Sequence, residues 1–289
     1  LSGRSETGHD TCPHLVSENG TDGVGRIAAA FAQTDKRAAL MPYLMGGYPT
    51  LADSMAIGEA CVDAGADIIE LGMPYSDPLA DGPVIHAAGT QALQAGANVA
   101  GVLEVARALA ERVPVVLMCY ANMVFAPGAE AFVERLAKTG ASGLIVPDLP
   151  LGEAPEVGEA CKAHGLALVP LVAPTTTDER LAAIGDSAEG FMYTVSVVGT
   201  TGERTELGER FAQVVQRAKA STAAPVALGF GISTPEHARQ AAQAGADGVI
   251  VGTRLVRAAG EASDPAGAVG SVVGELAGGL ALTDLRSAS

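Results

Sequence analysis

Asp63-Ala-Gly-Ala-Asp-Ile-Ile-Glu70 decides the fold: the end of an Ala-rich amphipathic helix, a glycine, then an apolar run without a break. The same order returns at Lys138-Thr-Gly-Ala-Ser-Gly-Leu-Ile-Val146, Lys162-Ala-His-Gly-Leu-Ala-Leu-Val169 and Gln243-Ala-Gly-Ala-Asp-Gly-Val-Ile-Val251. Gly65, Gly140, Gly165 and Gly245 stand where a left-handed residue ends a helix and turns the chain into a strand. The apolar runs do not alternate with polar residues, which marks strands buried on both faces, as in parallel sheets. Such runs fall near residues 39–45, 67–71, 114–119, 143–147, 166–171, 190–195, 225–229 and 248–251, each followed by a stretch able to form helix. Eight strand–helix units in about 250 residues predict an α/β chain folded as a single (β/α)8 TIM barrel. No G-x-G-x-x-G follows the first run, which disfavours an open doubly wound sheet. An extra N-terminal helix at about 24–33 is expected to cover the barrel bottom. The expected domain plan is a flexible tail at 1–21, a barrel at 22–283 and a C-terminal tail at 284–289.

Composition narrows the partners. A chain of 289 residues that is 48% hydrophobic can bury a large core without a disulfide or metal staple. The net charge of −15 disfavours nucleic acid and anionic membrane, which both need a basic surface. A small anionic ligand stays open, because salt screens the overall field within about 8 Å and local donors then decide. Cys12, Cys61, Cys119 and Cys161 lack CxxC spacing and read as free thiols of a reducing compartment. The five histidines are scattered, so no metal site is expected. There is no apolar run of about 18 residues and no basic-then-apolar leader pattern, so a cytoplasmic chain is expected.

The apolar run of the first repeat leads into Glu70-Leu-Gly-Met-Pro-Tyr-Ser-Asp-Pro-Leu-Ala-Asp-Gly-Pro83, a loop too rich in Pro and Gly for helix or sheet. A carboxylate at the mouth of a buried strand is costly unless it is used. Period two from Ile68 points Glu70 into the barrel and Ile69 and Leu71 toward the helices. Pairing with a Lys or Arg from a neighbouring strand is the bland alternative, but no basic residue ends another expected strand. Glu70 is therefore the first catalytic candidate. Asp77 and Asp81 both qualify as a second acid, or as plain turn residues, and spacing does not separate them. Long connections at 72–86 and 196–208 leave strand C-termini, where barrel active sites lie, and the second reads as a lid.

Three glycine-rich turns follow the last three strands: Gly199-Thr-Thr-Gly202, Gly229-Phe-Gly-Ile-Ser233 and Gly252-Thr253. Any one is ordinary turn chemistry, but three at one end of adjacent strands suit a phosphate held by backbone N–H groups and hydroxyls. No Lys or Arg lies within them, although Arg254 follows Thr253. Tyr43, Tyr120, Tyr193 and Phe230 stand at strand ends in a chain with only 4% aromatics. Core filling explains each alone; together they suggest a pocket for a flat apolar group.

The stretch from Glu70 to Pro83 resembles the signature of the tryptophan synthase alpha chain almost residue for residue. The resemblance extends through Met118-Cys-Tyr-Ala-Asn122, Val146-Pro-Asp-Leu-Pro150, Gly229-Phe-Gly-Ile-Ser233 and Ala244-Gly-Ala-Asp-Gly-Val-Ile-Val-Gly252, over roughly residues 24–280. It implies a lyase of tryptophan biosynthesis that cleaves indole-3-glycerol phosphate by a retro-aldol step to indole and glyceraldehyde 3-phosphate. It implies no cofactor in this chain, with pyridoxal phosphate only in a partner beta chain and an alpha2-beta2 complex. By the same resemblance Glu70 is the acid/base that helps protonate the indole ring carbon bearing the side chain. Asp81, rather than Asp77, stabilises charge at the indole nitrogen. Tyr193 matches a tyrosine near the glutamate and joins the catalytic set. Gly202, Phe230, Gly231, Gly252 and Thr253 match phosphate-site positions, and Tyr43 and Tyr120 match the indole pocket. Thr201 of the lid is a candidate to hold Asp81 on closure. The chain departs from the family pattern at Thr253, where Ser is common, at Met45, where Thr is frequent, and at Val197-Val198, where polar or basic residues are common.

Overall fold

In the computed structural model, which describes residues 22–195, 204–229 and 231–282, the four repeat glycines all turn left-handed. Their φ values are 100° at Gly65, 80° at Gly140, 67° at Gly165 and 97° at Gly245. The residue after three of them reaches back across the helix end: Ala66 N–H to Cys61 O, Leu166 to Cys161 and Ala246 to Ala241, at 3.0, 2.9 and 3.2 Å. This satisfies carbonyls that a helix end leaves free. The expected tails and Cys12 lie outside the described residues.

The strands are β1 (Ala39–Met45), β2 (Ile69–Gly72), β3 (Val115–Met118), β4 (Gly143–Ile145), β5 (Ala167–Leu168), β6 (Leu171–Val172), β7 (Met192–Val195), β8 (Val226–Gly229) and β9 (Gly248–Val251). All pair in parallel, in the order β5-β4-β3-β2-β1-β9-β8-β7-β6. The fifth expected strand is thus two short pieces. Pro170 lies between them and has no N–H to give a ladder. Val169 N–H still reaches Leu144 O on one side, and Pro170 O accepts from Tyr193 N–H on the other. The ring therefore closes through this segment, and eight strand–helix units make a TIM barrel.

Alternation sorts the side chains into two cores. Met41, Ile68, Val116, Ile145, Ala167, Phe191 and Ala227 fill the barrel. Leu40, Ile69, Leu71, Leu117, Leu144, Leu228 and Val249 pack outward against the helices. The aspartates of the two Ala-Gly-Ala-Asp repeats dock neighbouring strands. Asp67 accepts from Leu40 N–H at 2.6 Å and pairs with Lys36, and Asp247 accepts from Val226 N–H at 2.8 Å and pairs with Lys219.

The N-terminal helix Gly23–Gln33 closes the bottom, capped by the Asp22 carboxylate on Gly25 N–H at 2.8 Å. Its Ile27 is fully buried in the barrel core. Arg26 donates to the carbonyls of Gly140, Ala110 and Val113, tying the helix to the loops that enter β3 and β4. Arg26→Ala is expected to lower stability in urea unfolding by about 2 kcal/mol, the range for charged hydrogen bonds, and to leave the catalytic end intact. Cys61, Cys119 and Cys161 are buried free thiols, as expected. Among the described residues no helix is long and apolar enough to cross a membrane, and no acid, His or Cys cluster has the make-up of a metal site.

Both long connections end earlier than expected, because a helix begins inside each. Residues 73–82 form the first, ended by Gly82 as N-cap and Pro83 in the first turn of Pro83–Gln94. In the second, helix Arg204–Lys219 begins inside the expected lid and carries Gly208 within it. A glycine in a helix interior costs only about 1 kcal/mol, so it does not stop the helix. Residues 196–203 lie outside the described residues.

Candidate active site

Glu70 sits two residues before the end of β2, in register with Tyr43 on β1 and Val116 on β3. Its side chain is 0% exposed, and neither carboxylate oxygen has a hydrogen-bonding partner among the described residues. The bland pairing with Lys or Arg is absent among them. Burial pushes the carboxyl up to about 8, so Glu70 is neutral at pH 7.

Tyr43 and Tyr193, both buried, line the same cleft as Glu70. Their hydroxyls titrate well above the usual tyrosine range, first through burial and then through neighbouring acids, Glu70 among them. Glycines make room for both rings. A Cβ on Gly72 would fall on the Tyr43 hydroxyl, and one on Gly229 on the Tyr193 ring. Gly72→Ala is expected to displace Tyr43 and cost about 1–3 kcal/mol in urea unfolding, the range for overpacking a core.

Asp81, half-buried, is held from behind. Tyr120 donates its hydroxyl proton to Asp81 Oδ1 at 2.9 Å and accepts from Ala80 N–H at 3.0 Å, while its ring stacks on Tyr75. Burial holds the Asp81 carboxyl above the usual carboxylate range, and the Tyr120 hydroxyl and His86 offset only part of that rise. The two acids therefore differ: Glu70 has no polar partner and Asp81 has one, the usual basis for splitting acid and base roles. Asp77 is exposed, with its carboxylate taken by the Ser76 hydroxyl.

Tyr43, Glu70, Asp81, Tyr193, Gly231, Gly252 and Thr253 line one cleft of about 750 Å3 at the C-terminal ends of the strands. Tyr120 is not on its wall; it stands one layer behind Asp81. Thr201, Gly202 and Phe230 lie outside the described residues. Helix Thr253–Glu261 starts at Gly252 with no capping side chain, so its first N–H groups remain for a ligand. Apolar groups complete the lining: Ile85, Met118, Leu171, Val172 and Ile250.

Several contributors were not read from the sequence. Thr176 lines the cleft on a loop pinned by Arg217, which donates to the carbonyls of Pro174 and Thr176 at 2.9 and 2.7 Å. Asp148 accepts from Ala121 N–H at 2.8 Å and so ties the loop after β4 to the start of helix Ala121–Phe125 beside Tyr120. Arg257 lines the cleft four residues after Thr253, a spacing that signals one helix face only once the helix start is known.

Known proteins are similar to this chain along nearly its whole length. The family profile of the tryptophan synthase alpha chain matches residues 29–277. The tryptophan synthase alpha chain of Synechococcus sp. (strain CC9902) is 48% identical over 267 residues, covering 91% of this chain and 97% of that protein. A solved Mycobacterium tuberculosis tryptophan synthase structure superposes with a TM-score of 0.82 at 41% identity, over 89% of this chain and 98% of that one. A chain of the Pyrococcus furiosus tryptophan synthase a2b2 complex gives 0.79 at 36% identity, over 84% and 99%. With the ring of strands, the signature loop from Glu70 to Pro83 and near full-length matches in agreement, this chain belongs to the tryptophan synthase alpha chain family.

Proposed function

We propose that Glu70 and Asp81 divide the work of the alpha reaction, in which this carbon–carbon lyase of tryptophan biosynthesis cleaves indole-3-glycerol phosphate to indole and glyceraldehyde 3-phosphate. The observation that carries the division is Glu70 itself: fully buried, without a polar partner, and on the wall of the same cleft as Asp81. A neutral carboxyl there gives its proton to the indole ring carbon that bears the side chain, and positive charge develops at the ring nitrogen. Asp81, anchored by Tyr120, faces that charge. The glutamate carboxylate left behind takes the proton of the side-chain hydroxyl next to the ring. The carbon–carbon bond then breaks toward the ring and returns its electrons to the nitrogen. One proton is given and one is taken, so Glu70 ends as it began. Tyr193 and Tyr43 wall the reacting carbons, and Gly231, Gly252 and Thr253 hold the phosphate, with Gly202 and Phe230 assigned to the same grip and Thr201 to closure over Asp81.

The beta chain belongs to this reading as well. Leu79 is 84% exposed on the loop that carries Asp81, and Phe125 and Leu151 are exposed after β3 and β4 at the same end of the barrel. These residues suit a partner's apolar surface. A beta chain seated there, in an alpha2-beta2 complex, would act on Asp81 through the 73–82 loop. Pyridoxal phosphate is assigned to that partner and no cofactor to this chain. The buried thiols fit a reducing cytoplasm. The test is indole release from indole-3-glycerol phosphate by the purified chain, alone and with a beta chain. Slow release alone and faster release in the complex is expected; no indole under either condition would sink the reading.

A further inference from the structure

We infer that Arg254 and Arg257 form a cationic pair that selects the doubly charged phosphate of the substrate, a specificity role that rests on the lyase reading above. They stand three residues apart on helix Thr253–Glu261, so they share a face, and both line the cleft beside Thr253. They are its only basic residues among the described ones, while Glu70 and Asp81 lie on the wall supplied by β2 and its loop. Neither guanidinium has a carboxylate or carbonyl partner among the described residues. Arg26, Arg112, Arg217 and Arg239, by contrast, are each bonded to one or the other. In a chain with 33 acids and 18 Lys and Arg, two adjacent arginines without an acid are a local reversal of sign.

The chemistry asks for one. A helix start presents only about half a positive charge, which binds an anion but separates a dianion weakly from a monoanion. The chain's net charge of −15 opposes any dianion that approaches. Two guanidinium groups inside the roughly 8 Å screening length offset this at the cleft and add forked donors suited to phosphate oxygens. Arginine stays charged throughout the working range, so the pair itself adds no pH dependence, and the change expected near pH 6 lies well below the Glu70 titration at the other wall of the cleft. A phosphate monoester takes its second negative charge at about pH 6.

The test uses the full chain and compares the wild type with R254Q/R257Q, R254K/R257K and each single Gln variant. Steady-state cleavage is measured against pH and salt, with calorimetric titration of glycerol 3-phosphate and of uncharged indole. Loss of both charges is expected to raise KM by about tenfold or more with the loss on KM rather than kcat, and each single change by about threefold. The wild-type KM should rise below about pH 6 and with added salt, and both slopes should flatten in R254Q/R257Q. R254K/R257K should restore most of the affinity, and indole affinity should not move. Unchanged KM and salt slope in R254Q/R257Q, with the wild type still releasing indole, would overturn the pair and leave the lyase reading intact. Failure of the wild type to release indole at all is the separate failure of that reading. Should the double variant not fold, the single variants decide by the same KM and salt criteria.

Discussion

Glu70→Gln will lower indole release at saturating substrate by roughly 1,000-fold or more, while glycerol 3-phosphate affinity stays within about twofold. The amide has the shape of the neutral carboxyl, so the cleft between Tyr43 and Tyr193 keeps its form. What it lacks is a proton to give. Positioned acid–base catalysis supplies about 10²- to 10⁴-fold, and in the mechanism we propose the same group acts twice, once as acid and once as base. The wall at Gly252 and Thr253, to which we assign the phosphate, is built on another strand and is not touched. Asp81→Asn should also fall steeply, because an amide faces the nitrogen's positive charge with no net charge of its own. Near-wild-type turnover in Glu70→Gln would remove the residue from the chemistry altogether.

The same substitution should stabilise the fold at alkaline pH. The Glu70 carboxyl is raised from 4.5 to about 8 by burial, so between those values the folded chain binds a proton that the unfolded chain has lost. Stability from this group is therefore whole below about pH 4.5 and falls as pH rises, by about 1.4 kcal/mol per pH unit, until the folded carboxyl ionises near pH 8. Glutamine carries no such penalty. Urea unfolding at pH 4 should find the two proteins alike, and at pH 9 Glu70→Gln should be more stable by about 3 kcal/mol or more. A variant no more stable than the wild type at pH 9 would mean that Glu70 is solvated or paired in solution. The two effects run in opposite directions on one residue, as expected of a site whose chemistry is kept at the expense of stability.

The barrel was legible because its signals are local. The four repeat glycines each sit where a helix must end, and Ile68, Ile69, Glu70 and Leu71 sort by alternation alone. The break at Pro170 was hidden inside an apolar run, and a missing N–H matters only once the neighbouring strands are placed. The docking role of Asp67 and Asp247 was not legible, since the N–H groups they accept from lie 27 and 21 residues away in sequence. Period two also aimed Glu70 correctly. The second acid depended on the path of the 73–82 loop, which no spacing encodes. The fold of that loop puts Asp81 on the cleft and leaves Asp77 outside, and it explains why Tyr120 grips Asp81 instead of forming the wall. Arg257 was missed for the same reason as Thr176: its importance comes from which face of a helix or loop meets the cleft, not from its neighbours in sequence.

The most direct measurement is kcat/KM for indole release across the pH range, in the wild type and in the residual activity of Glu70→Gln, since this ratio reports the free enzyme and free substrate. A buried carboxyl that must be protonated predicts a one-proton fall centred near pH 8 in the wild type, and no such fall in Glu70→Gln. A wild-type rate that stays level or climbs through that region would contradict a neutral Glu70 as the proton donor.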